Sequence, residues 1–599
     1  MQSSFLDDFA DELLEYILLD RALEAHDILS FRCTCKRFQR ISHSNKVWKA
    51  KVLCRWPELG QISNSVAASH DWQELYKFRF HSVRKVYNLL QDVIQNCYED
   101  REVSYKRFTP FQQLGADYSN TIVGNICIEE QLFDLLNNGD EFSNLTQKYY
   151  ALRALRCLQH PRLEEEFMKL LDAPEDNQTL EESAILISQW NQCGTRVNKL
   201  KVYKQLNDIA NMVRQNLCTK YGDNHPASQG SEDESLSVDQ CILALDVFNE
   251  VFYEIYHFEG NKADYYNPDN SFINKVLESK KGIPISLAVV YAAVARRLGI
   301  SLEPVNFPNH FLLRLDVQPM QENNPKKYKY IDVFHSGKRL TNAECFSLSP
   351  MMGRHGNEYF RSCSKRAVYV RMVANLMRIT SHLDDVRMLD GYELFLLLCS
   401  DDMDAAIMLR RFYLQSGMNI SEVLNYLSKC EPTGRNMLNL VKYLMCEAKL
   451  LLHEEENKNK NEVMVKRRAE NQDVEYSVGM IMRHRRYDYL CVIYGWDSQC
   501  DMPDSWKIQM GVDRLPNKDK QPFYNVLVSD QSKRYAAQES LMVEENPEVV
   551  SHSEVGKHFT AFKNTHYQAN SELLKRYPDD VNVTIEKSNT GCVSEMQTA

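Results

Sequence analysis

The spacing of apolar residues changes once along this chain, and that change limits what it can fold into. Over residues 1 to 221 and 346 to 453, apolar side chains recur every third or fourth position, the spacing that lays one stripe along a helix. Leu243, Val247 and Val251 carry the pattern into the middle of the chain; Val423, Leu424 and Leu427 show it again further on. From Glu475 the texture becomes short β-branched and aromatic runs between turn residues, as in YLCVIYGW and FYNVLV, which predicts a small all-β domain. Within it, VLVSDQSKRYAA predicts a hairpin with Ser529, Asp530 and Gln531 at the turn. At 599 residues the chain exceeds what a single core supports, so the two textures belong to separate domains.

Breaks in the pattern set the expected boundaries. Residues 222–238 combine turn formers with an acidic cluster and predict a flexible acidic loop; residues 454–474 form a charged spacer; residues 576–599 read as a tail. The net charge of −11 excludes a protein-wide positive field for nucleic acid or an acidic membrane. The 17 cysteines are odd in number and scattered, which predicts reduced thiols and a cytoplasmic or nuclear location. Cys33 and Cys35 have no second ligand pair at zinc spacing, so they are expected to be buried structural thiols, and no metal or cofactor is expected elsewhere. The start MQSSFLDDFADELLEY lacks a basic segment and an apolar centre, and the apolar run from Ile283 to Ala295 is too short to span a bilayer.

Near the start, Leu13, Leu14, Ile17 and Leu18 make one helical stripe. Ile28, Leu29, Phe31 and Phe38 follow on a second helix, and Val47, Trp48, Val52 and Trp56 on a third. Three helices in about 50 residues are marginal alone, so a partner is expected. The order ELLEYIL, DILSFRCTCKRF, VWK resembles the F-box, with Phe9 and Ala10 where that family carries Leu-Pro. The resemblance implies that residues 1–57 dock to a Skp-family adaptor and cullin scaffold, with Leu13, Leu14, Ile17, Leu18 and Trp48 in the docking module. It implies a non-catalytic substrate-recognition subunit of a ubiquitin ligase, promoting ubiquitination and proteasomal degradation of bound proteins.

After a helical linker domain (58–221), KKGIPISLAVVYAAVARRLGI predicts a buried helix with the stripe Leu287, Val290, Val294 and Leu298, closed by Gly299. Two strand-like segments then carry His310 and Asp332. Ser286, His310 and Asp332 stand in the order nucleophile, base, orienter. Two readings are open: a serine-dependent hydrolase or transamidase, or a helix-capping serine beside a structural histidine–aspartate bond. Residues 239–345 resemble the SirB-type transglutaminase-like family, an α+β fold whose active members begin this helix with cysteine. Serine there implies a cleft without its original chemistry, with Asn306, Phe307, His310 and Phe311 lining a groove for a protein substrate. Residues 346–453, with Ala405, Tyr413 and Gly417, resemble a tetratricopeptide-like helical extension.

Residues 475–575 resemble the YccV-like family, named for hemimethylated-DNA binding and built as a small barrel. Arg483, His484, Arg485 and Arg486 make a basic turn beside Tyr487, Tyr489 and Trp496, a set suited to phosphate and base stacking. Against this, Glu475 to Leu541 holds nine basic and nine acidic residues, where a phosphate-reading domain shows a basic excess. DNA tethering, protein recognition and a solvated hairpin turn therefore remain alternatives for Arg483, Arg485, Arg486 and Trp496. Overall the chain reads as multidomain α+β.

Overall fold

Side-chain caps open many of the expected helices. Asp71 accepts the amides of Gln73 and Glu74 at the start of Trp72–Cys97, Thr179 opens Leu180–Asn191, and Asn198 opens Lys199–Tyr221. Ser237 and Gln240 form a reciprocal capping box before Val238–Asn249. The structure, a computed structural model, describes residues 8–61, 71–137, 144–222, 227, 236–315, 330–348, 359–380, 386–431, 434–458 and 464–590. Most of the expected acidic loop, part of the charged spacer and the last nine residues of the expected tail lie outside the described residues. No described helix is long and apolar enough to cross a membrane. The chain divides into two units, Gln159–Glu456 and the pair Met1–Leu158 with Asn457–Ala599.

In Gln159–Glu456, the helix Pro284–Arg297 lies at the centre of the largest core, with Leu287, Val290, Val294 and Tyr291 fully buried. A short parallel pair, β1 (Glu259–Gly260) and β2 (Lys281–Gly282), precedes it. An antiparallel sheet follows in the order β3 (Leu302–Val305), β4 (Leu312–Leu315), β5 (Tyr330–Asp332) and β6 (Lys338–Leu340). The helix Val238–Asn249 runs on into six π-helical residues, Glu250–Ile255. Helices Lys365–Thr380, Val386–Leu398, Met403–Ser416, Ile420–Lys429 and Arg435–Lys458 complete the unit.

In the other unit, four helices stand where three are expected: Asp11–Leu18, Ala25–Arg32, Lys36–Ile41 and Asn45–Arg55. Cys35 is extended and its sulfur accepts the Phe38 amide as an N-cap, which ends one helix and starts the next. Cys33 and Cys35 are exposed, contrary to the expectation of burial: the break turns both side chains outward.

The C-terminal sheet has the order β10 (Lys533–Ala537), β9 (Phe523–Val528), β8 (Leu490–Asp497), β7 (Ile481–His484), β11 (Leu541–Val543). The expected hairpin is present as β9–β10, with Gln531 at positive φ in its turn. The closed barrel is not: among the described residues no ladder joins the edges β10 and β11. Yet only Gln538–Ser540 connects these two edges. Such a link reaches about 14 Å at most, whereas four strand gaps in a flat sheet span about 19 Å. The sheet must curl strongly, and the short β11 leaves it unclosed.

The stretch expected to be a tail is instead anchored. Asp580 is completely buried and accepts the Val478 amide at 2.9 Å, the Trp496 indole N–H at 3.0 Å and Arg468 Nε at 2.7 Å. It opens the helix Asp580–Thr590. Tyr98, the residue after Trp72–Cys97, joins the same core and its hydroxyl is hydrogen-bonded with His558 Nδ1 at 2.9 Å. Residues 71–158 and 464–590 are thus packed together, although more than 300 positions separate them in sequence.

Candidate functional site

Of the three candidate residues Ser286, His310 and Asp332, the structure brings the last two into contact. His310 Nε2 lies 2.9 Å from Asp332 Oδ1, and the other carboxylate oxygen is 2.8 Å from His335 Nδ1. Burial alone would push the Asp332 carboxyl up; the hydrogen bonds and charges of His310 and His335 outweigh it and hold the group below the usual carboxylate range. Local backbone builds this arrangement. Asn309 is left-handed, which turns His310 off the end of the β3–β4 connection, and Ser336 and Gly337 are left-handed in succession just after His335. A Cβ on Gly337 would come within 2.3 Å of Asn249 Oδ1, so only glycine fits there. Asn249 is held in turn by the Tyr291 hydroxyl at 2.8 Å, and Tyr253 of the π-helical turn donates to the Val333 carbonyl at 2.8 Å.

Ser286 has a different environment. It is buried, its hydroxyl donates to the Asn270 carbonyl at 2.5 Å, and its oxygen accepts the Ile283 amide at 3.1 Å. Asn270 is itself fixed by Asn261 and by the Asp264 carbonyl. The serine therefore caps its helix and ties down the preceding loop; its proton is already committed to a carbonyl rather than to an imidazole.

The expected groove is also altered. Phe307 and Phe311 are core residues, at 0% and 1% exposure, because the β3–β4 connection folds inward onto two hydrophobic clusters. Asn306 is half-buried and its side chain is engaged within the chain. Arg371, from the helix Lys365–Thr380, donates to its side chain, to the Phe307 carbonyl at 3.0 Å and to the His310 carbonyl at 3.2 Å. Burial lowers the Arg371 guanidinium, and this clamp fixes the His310 turn. What remains accessible beside the histidine pair is an aromatic rim: Tyr265, Tyr266 and His335 are exposed around the half-buried Phe334.

The five expected docking residues, four on Asp11–Leu18 and Trp48 on Asn45–Arg55, separate by burial. Leu14, Leu18 and Trp48 are buried in the local core, whereas Leu13 and Ile17 are 49% and 39% exposed, one turn apart, with Tyr16 at 75% and Leu29 at 45%. Asp11 is bound by Arg37 and Arg40, which hold its carboxyl below the ordinary range and tie the helix to Lys36–Ile41.

In the C-terminal domain the basic turn is bound internally. Arg483 pairs with Glu544 and Asp488, Arg485 Nε donates to the Leu541 carbonyl, and Arg486 lies over the Tyr487 ring. His484 Nδ1 accepts the amides of Arg486 and Tyr487, while burial and Arg534 keep the ring below its ordinary pKa and therefore neutral. Trp496, expected on an aromatic face, is completely buried; its position on the central strand β8 points it into the core, where it meets Asp580.

Comparison with known proteins follows the same divisions. A family model described as the transglutaminase-like superfamily matches residues 200–374, wider at both ends than the segment expected from sequence, and one described as hemimethylated DNA-binding protein YccV like matches residues 474–566. F-box only protein 21 of Homo sapiens is 34% identical over 602 residues, covering 96% of this chain and 92% of that protein. That of Pongo abelii is 34% identical over 595 residues with the same coverage. The chain belongs to the F-box only protein 21 family. A bacterial UPF0162 protein from Xylella fastidiosa is 34% identical over 161 residues, 26% of this chain and 54% of that protein. No solved structure matches. In this F-box only protein 21 relative, the two model-matched ranges enclose Ser286, His310, Asp332, His335 and Arg371 in one case and the basic turn with Trp496 in the other. His335 was within reach of sequence reading, three residues after Asp332 in DVFHS; Arg371 carries no local signal.

Proposed function

We propose that this chain is the substrate-recognition subunit of a Skp-cullin-F-box ubiquitin ligase, promoting ubiquitination and proteasomal degradation of the proteins it binds. The observation that carries the reading is the exposed apolar pair Leu13 and Ile17, one helical turn apart, on a helix that buries Leu14 and Leu18 in the local core. A soluble helix leaves such a stripe in water only at a cost, and a helix-in-groove partner removes it. The adaptor contact then rests on Leu13 and Ile17, while Leu14, Leu18 and Trp48 support it from within. The test is co-purification of the Skp-family adaptor and cullin with the full chain. Loss of both in Leu13→Asp/Ile17→Asp supports the proposal, and retention of both ends it.

The transglutaminase-like domain serves in this reading as a protein-binding surface, without acyl-transfer chemistry. Its support is the engagement of the Ser286 hydroxyl by the Asn270 carbonyl. Substrate is expected on the rim of Tyr265, Tyr266, Phe334 and His335, residue types that favour protein interfaces. Hydrolase or transamidase chemistry is the competing reading, favoured by the 2.9 Å His310–Asp332 contact. An acyl-fluorophosphonate probe decides: no labelling that Ser286→Ala abolishes is expected, and labelling lost in that variant would establish the competing reading.

A further inference from the structure

A second cluster of histidine and carboxylates lies away from the transglutaminase-like site. His160 sits on the helix Leu145–Asp172, and Asp390 and Glu393 lie three residues apart on Val386–Leu398, so both carboxylates share one helical face. One ligand atom from each of the three lies within 4.8 Å of the other two. His160 and Asp390 are 8% and 7% exposed.

The histidine is oriented as a metal ligand is. Its ring stacks on Trp190 at 3.9 Å between centroids, and its Nε2 faces the Trp190 carbonyl at 3.2 Å, which accepts the N–H and selects that tautomer. Nδ1 then carries the lone pair. It is buried, has no hydrogen-bond partner, and stands 3.7 Å from Glu393 Oε2, too far for a hydrogen bond but close to the edge of a zinc coordination polyhedron. A metal-bound histidine commonly donates its far ring N–H to such a carbonyl. Glu393 has its own support, since the Tyr413 hydroxyl donates to its other oxygen at 2.8 Å. Asp390 Oδ1 lies 3.9 Å from Nε2 of the imidazole, and Trp190 Nε1 donates to the Asp390 backbone carbonyl at 3.1 Å.

We infer that His160, Asp390 and Glu393 form a binding site for a divalent transition-metal cation, taken here as zinc, that ties the helix Leu145–Asp172 to the helix Val386–Leu398. One imidazole and two carboxylates match zinc's borderline preference. Cys193 Sγ, 3.4 Å from His160 Nε2, donates to the Trp190 carbonyl and is not counted as a ligand.

The experiment uses the full chain, stripped with a chelator, reloaded with Zn²⁺, desalted and assayed for metal content and affinity. The expected result is that Glu393→Gln and Asp390→Asn each lose one zinc equivalent, or weaken it ~tenfold or more, while His335→Ala retains it. Equal zinc content and affinity in wild type and Glu393→Gln would overturn the inference, as would loss in His335→Ala alone. Should the carboxamide variants fail to fold, X-ray absorption of the zinc-loaded wild-type chain decides. A nitrogen and oxygen shell at about 2.0–2.1 Å supports the site, and sulfur at about 2.3 Å excludes it.

Discussion

The first helix and the transglutaminase-like segment depart from ordinary residue partition in opposite directions. The first helix leaves Leu13 and Ile17 in water; the other region buries Ser286 and Asp332 at 3% and 1% exposure. An exposed apolar stripe has no compensation within the chain, so it points outward to a partner. A buried polar group whose hydrogen bonds are all made inside the chain points inward, to scaffolding. On the proposed reading the serine serves the scaffold and the leucine–isoleucine pair serves a partner.

Substitutions can break this contrast, and the largest effect is expected at Asp332. Asp332→Ala strands His310 and His335 beside a cavity and should cost about 3–5 kcal/mol in denaturant unfolding. Because the native carboxyl is held below its ordinary value, its contribution is complete above that value and disappears as pH falls through the depressed one. The wild-type stability curve should accordingly drop on its acid limb more steeply than that of Asp332→Ala. Gly337→Ala comes next, at about 2 kcal/mol, since the residue is left-handed and the new Cβ meets Asn249; thermal melting reads it. Ser286→Ala should cost about 1 kcal/mol, the value of a helix cap, with no change in substrate capture by pull-down. Leu13→Asp should change stability by no more than about 0.5 kcal/mol, because its half-exposed side chain stands outside the local hydrophobic core.

The change of hydrophobic period located the β-domain and the long helices, because burial of one face imposes that period directly. The hairpin at Ser529–Gln531 was legible for the same reason. Burial of individual side chains was not. Phe307, Phe311 and Trp496 have the composition of a binding surface, but which face of a strand or turn meets the core depends on elements such as the helix Lys365–Thr380 and the segment around Asp580. The association of residues 71–158 with 464–590 left no local trace, since Tyr98 and His558 are each ordinary residues in their own windows. His160, Asp390 and Glu393 escape spacing rules because more than 200 positions divide them.

The central claim is that the Leu13–Ile17 face holds a ligase adaptor. The most direct measurement is the affinity of purified full-length chain for a Skp-family adaptor, comparing wild type, Leu13→Asp/Ile17→Asp and a solvent-face control, Glu12→Lys. The account predicts binding for wild type and control and a loss of ~100-fold or more for the double variant, as expected for central apolar anchors, with unfolding curves superimposable across all three. Equal affinity in the double variant, or no adaptor binding by the folded wild-type chain, would contradict it.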